Sequence, residues 1–139
     1  MLLNKSGSLD TNILLRIVVG DVPKQTELIS KLFAEMTVLH VADIVIFEMV
    51  FVLDRAYQFS KEDIIESVYT IIRHKKINCN RALFESALSL YKESTKLSFV
   101  DCTLPNYAIL NNARPLYTFD QALAKANTDT VHLLTSHGS

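Results

Sequence analysis

Apolar positions along the chain change period repeatedly. Short β-prone runs alternate with longer stretches whose apolar side chains recur every three to four residues, the helical period. A short strand is expected to end near Leu9, followed by a helix from about Ile13 to Val19 that closes at Gly20. Asp21-Val22-Pro23 opens a second helix running to about Met36, with Asp21 as N-cap and Pro in the first turn. Thr37 to Val41 reads as a strand, and Asp43 as the cap of a helix carrying Ile44 to Arg55. Ser60-Lys61-Glu62-Asp63 has the form of a capping box, and Ile64, Ile65, Val68, Ile71 and Ile72 continue it with helical spacing. A helix from about Asn80 to Glu93 places Leu83, Ala87, Leu90 and Tyr91 on one face. Asp101 is expected to head a helix through Asn111. Leu116-Tyr117-Thr118 is a short strand, Gln121 to Ala126 a short helix, and Val131 to Leu134 a last strand. Strands that alternate with helices favour an α/β fold around a parallel sheet.

Composition narrows the class. At 139 residues and 49% hydrophobic content, the chain is expected to form a single domain, residues 1–139, with one core. A formal net charge of −1 rules out a globally basic nucleic-acid binder, so such binding must use local patches. Cys79 and Cys102 form no C-x-x-C pair and have no His at ligand spacing, which reads as two reduced core thiols of a cytoplasmic protein. Met1-Leu2-Leu3 runs at once into Asn4 and Lys5, so no secretory leader is expected. The most apolar run, Ile44 to Leu53, has nine apolar residues in ten, half of the roughly 20 a membrane span needs.

Within that run Glu48 is the one polar residue, and a helix apolar on nearly every face is expected to be buried. A buried carboxylate must be paired, neutralised or bound to metal, the ion-pair partners in reach of this reading being Arg16 or Arg55. Asp10, Asp101 and Asp120 each stand at an expected strand-to-helix turn, where N-capping is the plain role for Asp. In a parallel sheet such turns gather at one edge, the edge where ligands bind. Four converging carboxylates require a cation, and hard oxygen ligands select Mg²⁺ or Mn²⁺. That ion keeps several waters and accepts phosphate oxygens, which leads to phosphodiester hydrolysis.

At these residues the chain resembles a known family. Leu9-Asp10-Thr11-Asn12-Ile13-Leu14 is similar to the opening motif of PIN domains, and Glu48 in Phe47-Glu48-Met49-Val50 to the second acidic position. Phe99-Val100-Asp101-Cys102 resembles the third, and Thr118-Phe119-Asp120 the fourth. Order and spacing agree over essentially the whole chain, and size and layout look most like the VapC toxins of prokaryotic toxin–antitoxin pairs. The resemblance implies a three-layer α/β/α sandwich with a central, mostly parallel sheet, and Mg²⁺- or Mn²⁺-dependent endoribonuclease activity on RNA. It also implies a homodimer and a small antitoxin that occupies the active-site groove. By matched position Asp10, Glu48, Asp101 and Asp120 would hold metal, with Asn12 and Thr118 orienting ligands behind them. The chain departs from the family pattern at Ser6-Gly7-Ser8-Leu9, where aliphatic residues are usual, and at Asn111-Asn112-Ala113-Arg114-Pro115, where a glycine is usual. Asn tolerates the left-handed backbone that such a glycine supplies.

Other features are weaker. Arg73-His74-Lys75-Lys76 is either an RNA phosphate contact or a set of cations placed favourably at a helix C-terminus. Arg16, Arg55, Arg81 and Arg114 are candidate groove residues. Phe33, Phe51 and Tyr57 belong to the core or to a dimer or antitoxin surface, and His132 and His137 read as incidental. With no Gly-x-Ser-x-Gly elbow and glycines only at 7, 20 and 138, a serine hydrolase and a phosphate-cradling glycine loop are both disfavoured. A small-phosphate phosphohydrolase is disfavoured because Asp10 is followed by Thr11-Asn12 and makes no Asp-x-Asp pair. The alternative from another class is a PIN-fold module that binds RNA or protein without cleaving.

Overall fold

Parallel strand pairing begins where the sequence is least strand-like. In the computed structural model, which describes residues 4–136, Ser6–Ser8 forms β1 despite its poor β-propensity. The pairing comes from β2, Val38–His40, which runs parallel to it with Gly7 opposite Leu39. A Cβ on Gly7 would lie 3.1 Å from Met36 Cε, so glycine here admits a close neighbour. β3, Ile77–Asn78, pairs with the other side of β2 and sets Ile77 opposite Leu39. Two residues carry no legible periodicity, and nothing in the sequence pattern announces this strand.

These strands belong to the first of two compact units, Met1–Arg81. Helices α1 (Thr11–Val19) and α2 (Pro23–Glu35) connect β1 to β2, and α3 (Asp43–Arg55) and α4 (Lys61–Ile72) connect β2 to β3. Leu14, Leu39, Ile46, Met49, Leu53, Val68 and Ile71 are almost wholly removed from water. Each contributes about 1.5–3 kcal/mol relative to exposure. Gly20 closes α1 with φ 66°, and Ser60 Oγ accepts from Asp63 N at 3.1 Å to open α4, both as expected. Two expected caps are not caps. The N-cap of α2 is Val22, without a side-chain bond, because Asp21 is drawn to the Arg16 guanidinium. The N-cap of α3 is Ala42, and Asp43 is the first helical residue.

The second unit, Ala82–Ser139, takes all but the first residue of α5 (Arg81–Glu93), followed by α6 (Phe99–Leu110), β4 (Leu116–Thr118), α7 (Gln121–Ala126) and β5 (Val131–Leu133). β4 and β5 pair in parallel across the α7 crossover, with Tyr117 opposite His132. On α5 Leu83, Phe84, Ala87 and Leu88 are buried, and Leu90 and Tyr91 sit half-buried beside that stripe. Phe84 stacks on Phe99 at 6.1 Å between centroids, and Tyr91 meets the same ring edge-on. Helix α6 starts before Asp101, at Phe99, because Ser98 and Asp101 form a reciprocal capping box. Pro105 within α6 removes the N–H that would bond the Asp101 carbonyl. Asn112 adopts φ 52°, the left-handed role foreseen for this Asn-rich turn.

The α/β class with parallel strands is therefore present: every strand pair described is parallel, three strands in the first unit and two in the second. No helix among the described residues is long and apolar enough to cross a membrane. The expectations about Met1–Leu3 and His137 lie outside the described residues.

Candidate active site

In the first unit the topology places three side chains at the carboxyl edge of the parallel sheet: Asp10 after β1, Asp43 after β2 and Asn80 after β3. Asp10 is exposed and caps α1, its Oδ1 accepting from Ile13 N at 3.1 Å. Its other oxygen has no hydrogen-bond partner among the described residues. Capping and ligation are thus compatible, because one oxygen fixes the rotamer and leaves the second to point elsewhere. Asp43 was read only as a cap. It is half-buried and accepts from Asn80 Nδ2 at 3.3 Å, which ties the β2 and β3 ends together. Its place after an expected strand was the sequence feature that marked it. Nearby, the Asn78 amide and the His40 ring meet at 3.0 Å.

Glu48 overturns an expectation. It is exposed, not buried, and it has no ion pair or hydrogen bond among the described residues. The helix around it is not sheathed: Ile44 is 72% and Phe51 59% exposed, on the same face at i−4 and i+3. The expected ion-pair partners are engaged elsewhere. Arg16 binds Asp21 and donates to Tyr57 Oη at 2.9 Å, while Arg55 lies beside Asp54 and over the Phe51 ring. The Tyr57 hydroxyl, with Asp21, raises the Arg16 pKa further above its ordinary range.

In the second unit Asp120 follows β4 and caps α7, its Oδ1 accepting from Ala122 N at 2.8 Å and Leu123 N at 3.1 Å. The Thr118 hydroxyl accepts from Asp120 N at 2.9 Å, so Thr118 holds the turn that aims the carboxylate. Asp101 corrects the expected pattern. The element before α6 is helix α5 and not a strand, and Asp101 lies at the third position of α6, half-buried, its Oδ2 accepting from Ser98 N at 3.2 Å. Asp120 Oδ2 and Asp101 Oδ1 have no partner among the described residues.

The basic run divides by role. Lys76 Nζ donates to the Phe33 carbonyl at 2.6 Å, Arg73 stacks on Tyr69 at 3.8 Å, and Lys75 is exposed. Burial and the adjacent Lys75 and Lys76 hold the His74 pKa below its ordinary value, and its Nδ1 accepts from Lys76 N at 3.1 Å. Arg81 donates to the Ile72 carbonyl, a C-terminal role at α4. Phe33 is half-buried against His74, Tyr57 half-buried, and only Phe51 of the three suggested surface aromatics is open. Asn12 is exposed and, with Asp10, Ile13, Arg16, Gln25, Leu28 and Ile29, lines a depression of about 250 Å³. Among the described residues neither cysteine is in a disulfide; Cys102 is buried, but Cys79 is only half-buried, and partial burial raises its thiol pKa.

The donor chemistry of the four acids is uniform: each is a carboxylate with at least one oxygen not engaged by another described residue. Such hard oxygens suit Mg²⁺ or Mn²⁺, and aspartates at helix N-termini are held where the dipole favours anions. The first unit carries Asp10 and Glu48, the second Asp101 and Asp120. Among the described residues no three His, Cys, Asp or Glu side chains form a ready-made metal-holding group.

Two comparisons bear on the assignment. The family model of the PIN domain matches residues 8–128, which include all four acids. A VapC ribonuclease of Aquifex aeolicus (strain VF5) is 30% identical over 129 residues, covering 89% of this chain and 94% of the relative.

Proposed function

The chain belongs to the PIN-domain family, and we propose that it is a metal-dependent endoribonuclease of the toxin kind, acting as one PIN domain over residues 1–139. The observation that carries this reading is the carboxylate oxygen left over on Asp10, Glu48, Asp101 and Asp120 at the family's motif positions. RNA as substrate follows from the relative named a ribonuclease.

In this reading the four acids hold Mg²⁺ or Mn²⁺. A divalent cation so held supplies Lewis acidity, which acidifies water and neutralises charge developing on a phosphate. The chain's own part is positional. Backbone N–H groups of α1, of the Ser98 cap of α6 and of α7 fix one oxygen each of Asp10, Asp101 and Asp120, so those carboxylates are pre-oriented before substrate arrives. Thr118 steadies Asp120, and Asn12 stands beside Asp10. In-line attack by water would form one P–O bond and break the P–O3′ bond, the water losing a proton to solvent and the 3′ oxygen taking one up to leave as a hydroxyl. Arg16, Arg73, Lys75 and Lys76 contact phosphates, with Lys75 the most available. A small antitoxin, a homodimer and a cytoplasmic location complete the proposal.

The second reading is a PIN-fold module that binds RNA or protein without cleaving, which would show binding with no metal-stimulated cleavage. The test that separates them is cleavage of a mixed pool of structured RNAs with added Mg²⁺ or Mn²⁺, with EDTA and Glu48→Gln as controls. Metal-dependent cleavage lost in Glu48→Gln supports the nuclease. RNA binding without cleavage under either metal supports the module.

A further inference from the structure

The two-stranded sheet of the second unit carries an open face of unusual composition. Exposure alternates along β4 and beyond: Leu116 and Thr118 are half-buried, while Tyr117 and Phe119 are 59% and 81% exposed. The same alternation on β5 leaves His132 exposed and Leu134 43% exposed. A solvated sheet face is ordinarily polar. Here it presents two aromatic rings two residues apart, with the His132 ring edge-on to Tyr117 at 5.6 Å. A Phe ring left in water stabilises nothing in the fold. Phe119 is also joined by one peptide bond to Asp120, whose turn is held by Thr118 and by two α7 N–H groups.

We infer that Phe119, flanked by Tyr117, is a stacking platform for an unpaired base of the RNA substrate next to the scissile phosphate. The inference rests on the ribonuclease reading and adds a positioning residue, Phe119, that acts through a base of the substrate. Bases splayed from a single strand stack on exposed aromatic side chains, whatever their identity. Phe119 directly precedes Asp120 at the carboxyl end of β4, so a base stacked on the ring would bring its strand to the sheet edge that carries Asp120. Lys125 and His132, which line a shallow depression with Thr128, stand where the backbone of such a strand needs cations or donors.

The chain contains no Trp, so Phe119→Trp introduces a single indole at the platform itself. Its fluorescence is titrated in EDTA with a mixed-sequence RNA of about 12 nucleotides, and with an abasic ribose-phosphate strand of equal length. Saturable quenching by the RNA and little by the abasic strand is the expected result. Phe119→Leu, equally apolar but without a π face, is expected to weaken RNA binding about tenfold or more, and Phe119→Trp to preserve it. Equal quenching by both strands, or none, overturns the inference. So does an emission shift that follows protein concentration and ignores RNA, which identifies the face as a protein contact. Cleavage by the wild-type protein is scored separately. Cleavage without base-dependent quenching sinks only the platform; base-dependent quenching without cleavage sinks the nuclease reading, overturns the placement beside a scissile phosphate and leaves Phe119 a base-stacking ring of a binding module.

Discussion

Asp120 has two separable tasks, and substitution can part them. Its Oδ1 accepts from two α7 N–H groups, and its Oδ2 faces no described partner. Asn caps a helix about as well as Asp, whereas Ala at an N-cap costs about 1 kcal/mol. Asp120→Asn should therefore leave stability within a few tenths of a kcal/mol of wild type, and Asp120→Ala should lower Tm by about 4 °C. Activity should not follow stability. Asn retains the capping carbonyl but presents NH₂ where the second oxygen stood, a donor in place of an anionic ligand. Losing one such ligand on a divalent ion removes several kcal/mol of transition-state stabilisation, so both variants should cleave at least about a hundredfold more slowly. The assay pairs thermal denaturation with single-turnover cleavage of one RNA under saturating Mg²⁺ or Mn²⁺. Asp120→Asn cleaving within about threefold of wild type would refute the ligand role and leave Asp120 a cap alone. An equal loss of Tm in the two variants would refute the capping geometry.

Other outcomes follow from single residues. Glu48 touches no described partner, so Glu48→Gln should change stability by less than about 0.5 kcal/mol while abolishing cleavage; a drop in Tm would expose an unrecognised structural role. Gly20 sits at φ 66°, and Gly20→Ala should destabilise by about 1–2 kcal/mol, read from urea midpoints. The His74 pKa is depressed below its ordinary 6.5 by burial and by Lys75 and Lys76. The unfolded chain therefore takes up this proton first, and the stability tied to neutral His74 is present above pH 6.5 and lost as pH falls through that value toward the folded pKa. His74→Gln should lose less stability than wild type between about pH 7.5 and pH 5.5; an identical loss would remove His74 from the account. Lys75→Ala should weaken RNA binding and reduce the slope of log affinity against log salt by about 0.7, and an unchanged slope would exclude a phosphate contact.

Local chemistry was legible from the sequence. The ends of β4 and α7, the closure at Gly20, the Ser60 cap and the left-handed Asn112 all depend on residues within a few positions of one another. Glu48 stood out as the one polar residue of an apolar run, and the three aspartates by their place at expected strand-to-helix turns, although capping alone would account for each of them. Tertiary structure decided the rest. Ser6–Ser8 and Ile77–Asn78 are strands only because β2 lies between them, and no local preference in a Ser-Gly-Ser or two-residue segment encodes that pairing. Arg16 left Asp21 no freedom to cap α2, an outcome set by a side chain five positions away that also reaches Tyr57. The apolar run around Glu48 predicted burial because hydrophobicity reports what a residue gains from a neighbour and not whether a neighbour is there. Where the fold leaves Ile44 and Phe51 facing solvent, Glu48 lies open with them, and its availability as a ligand is a property of that exposed face rather than of the sequence around it.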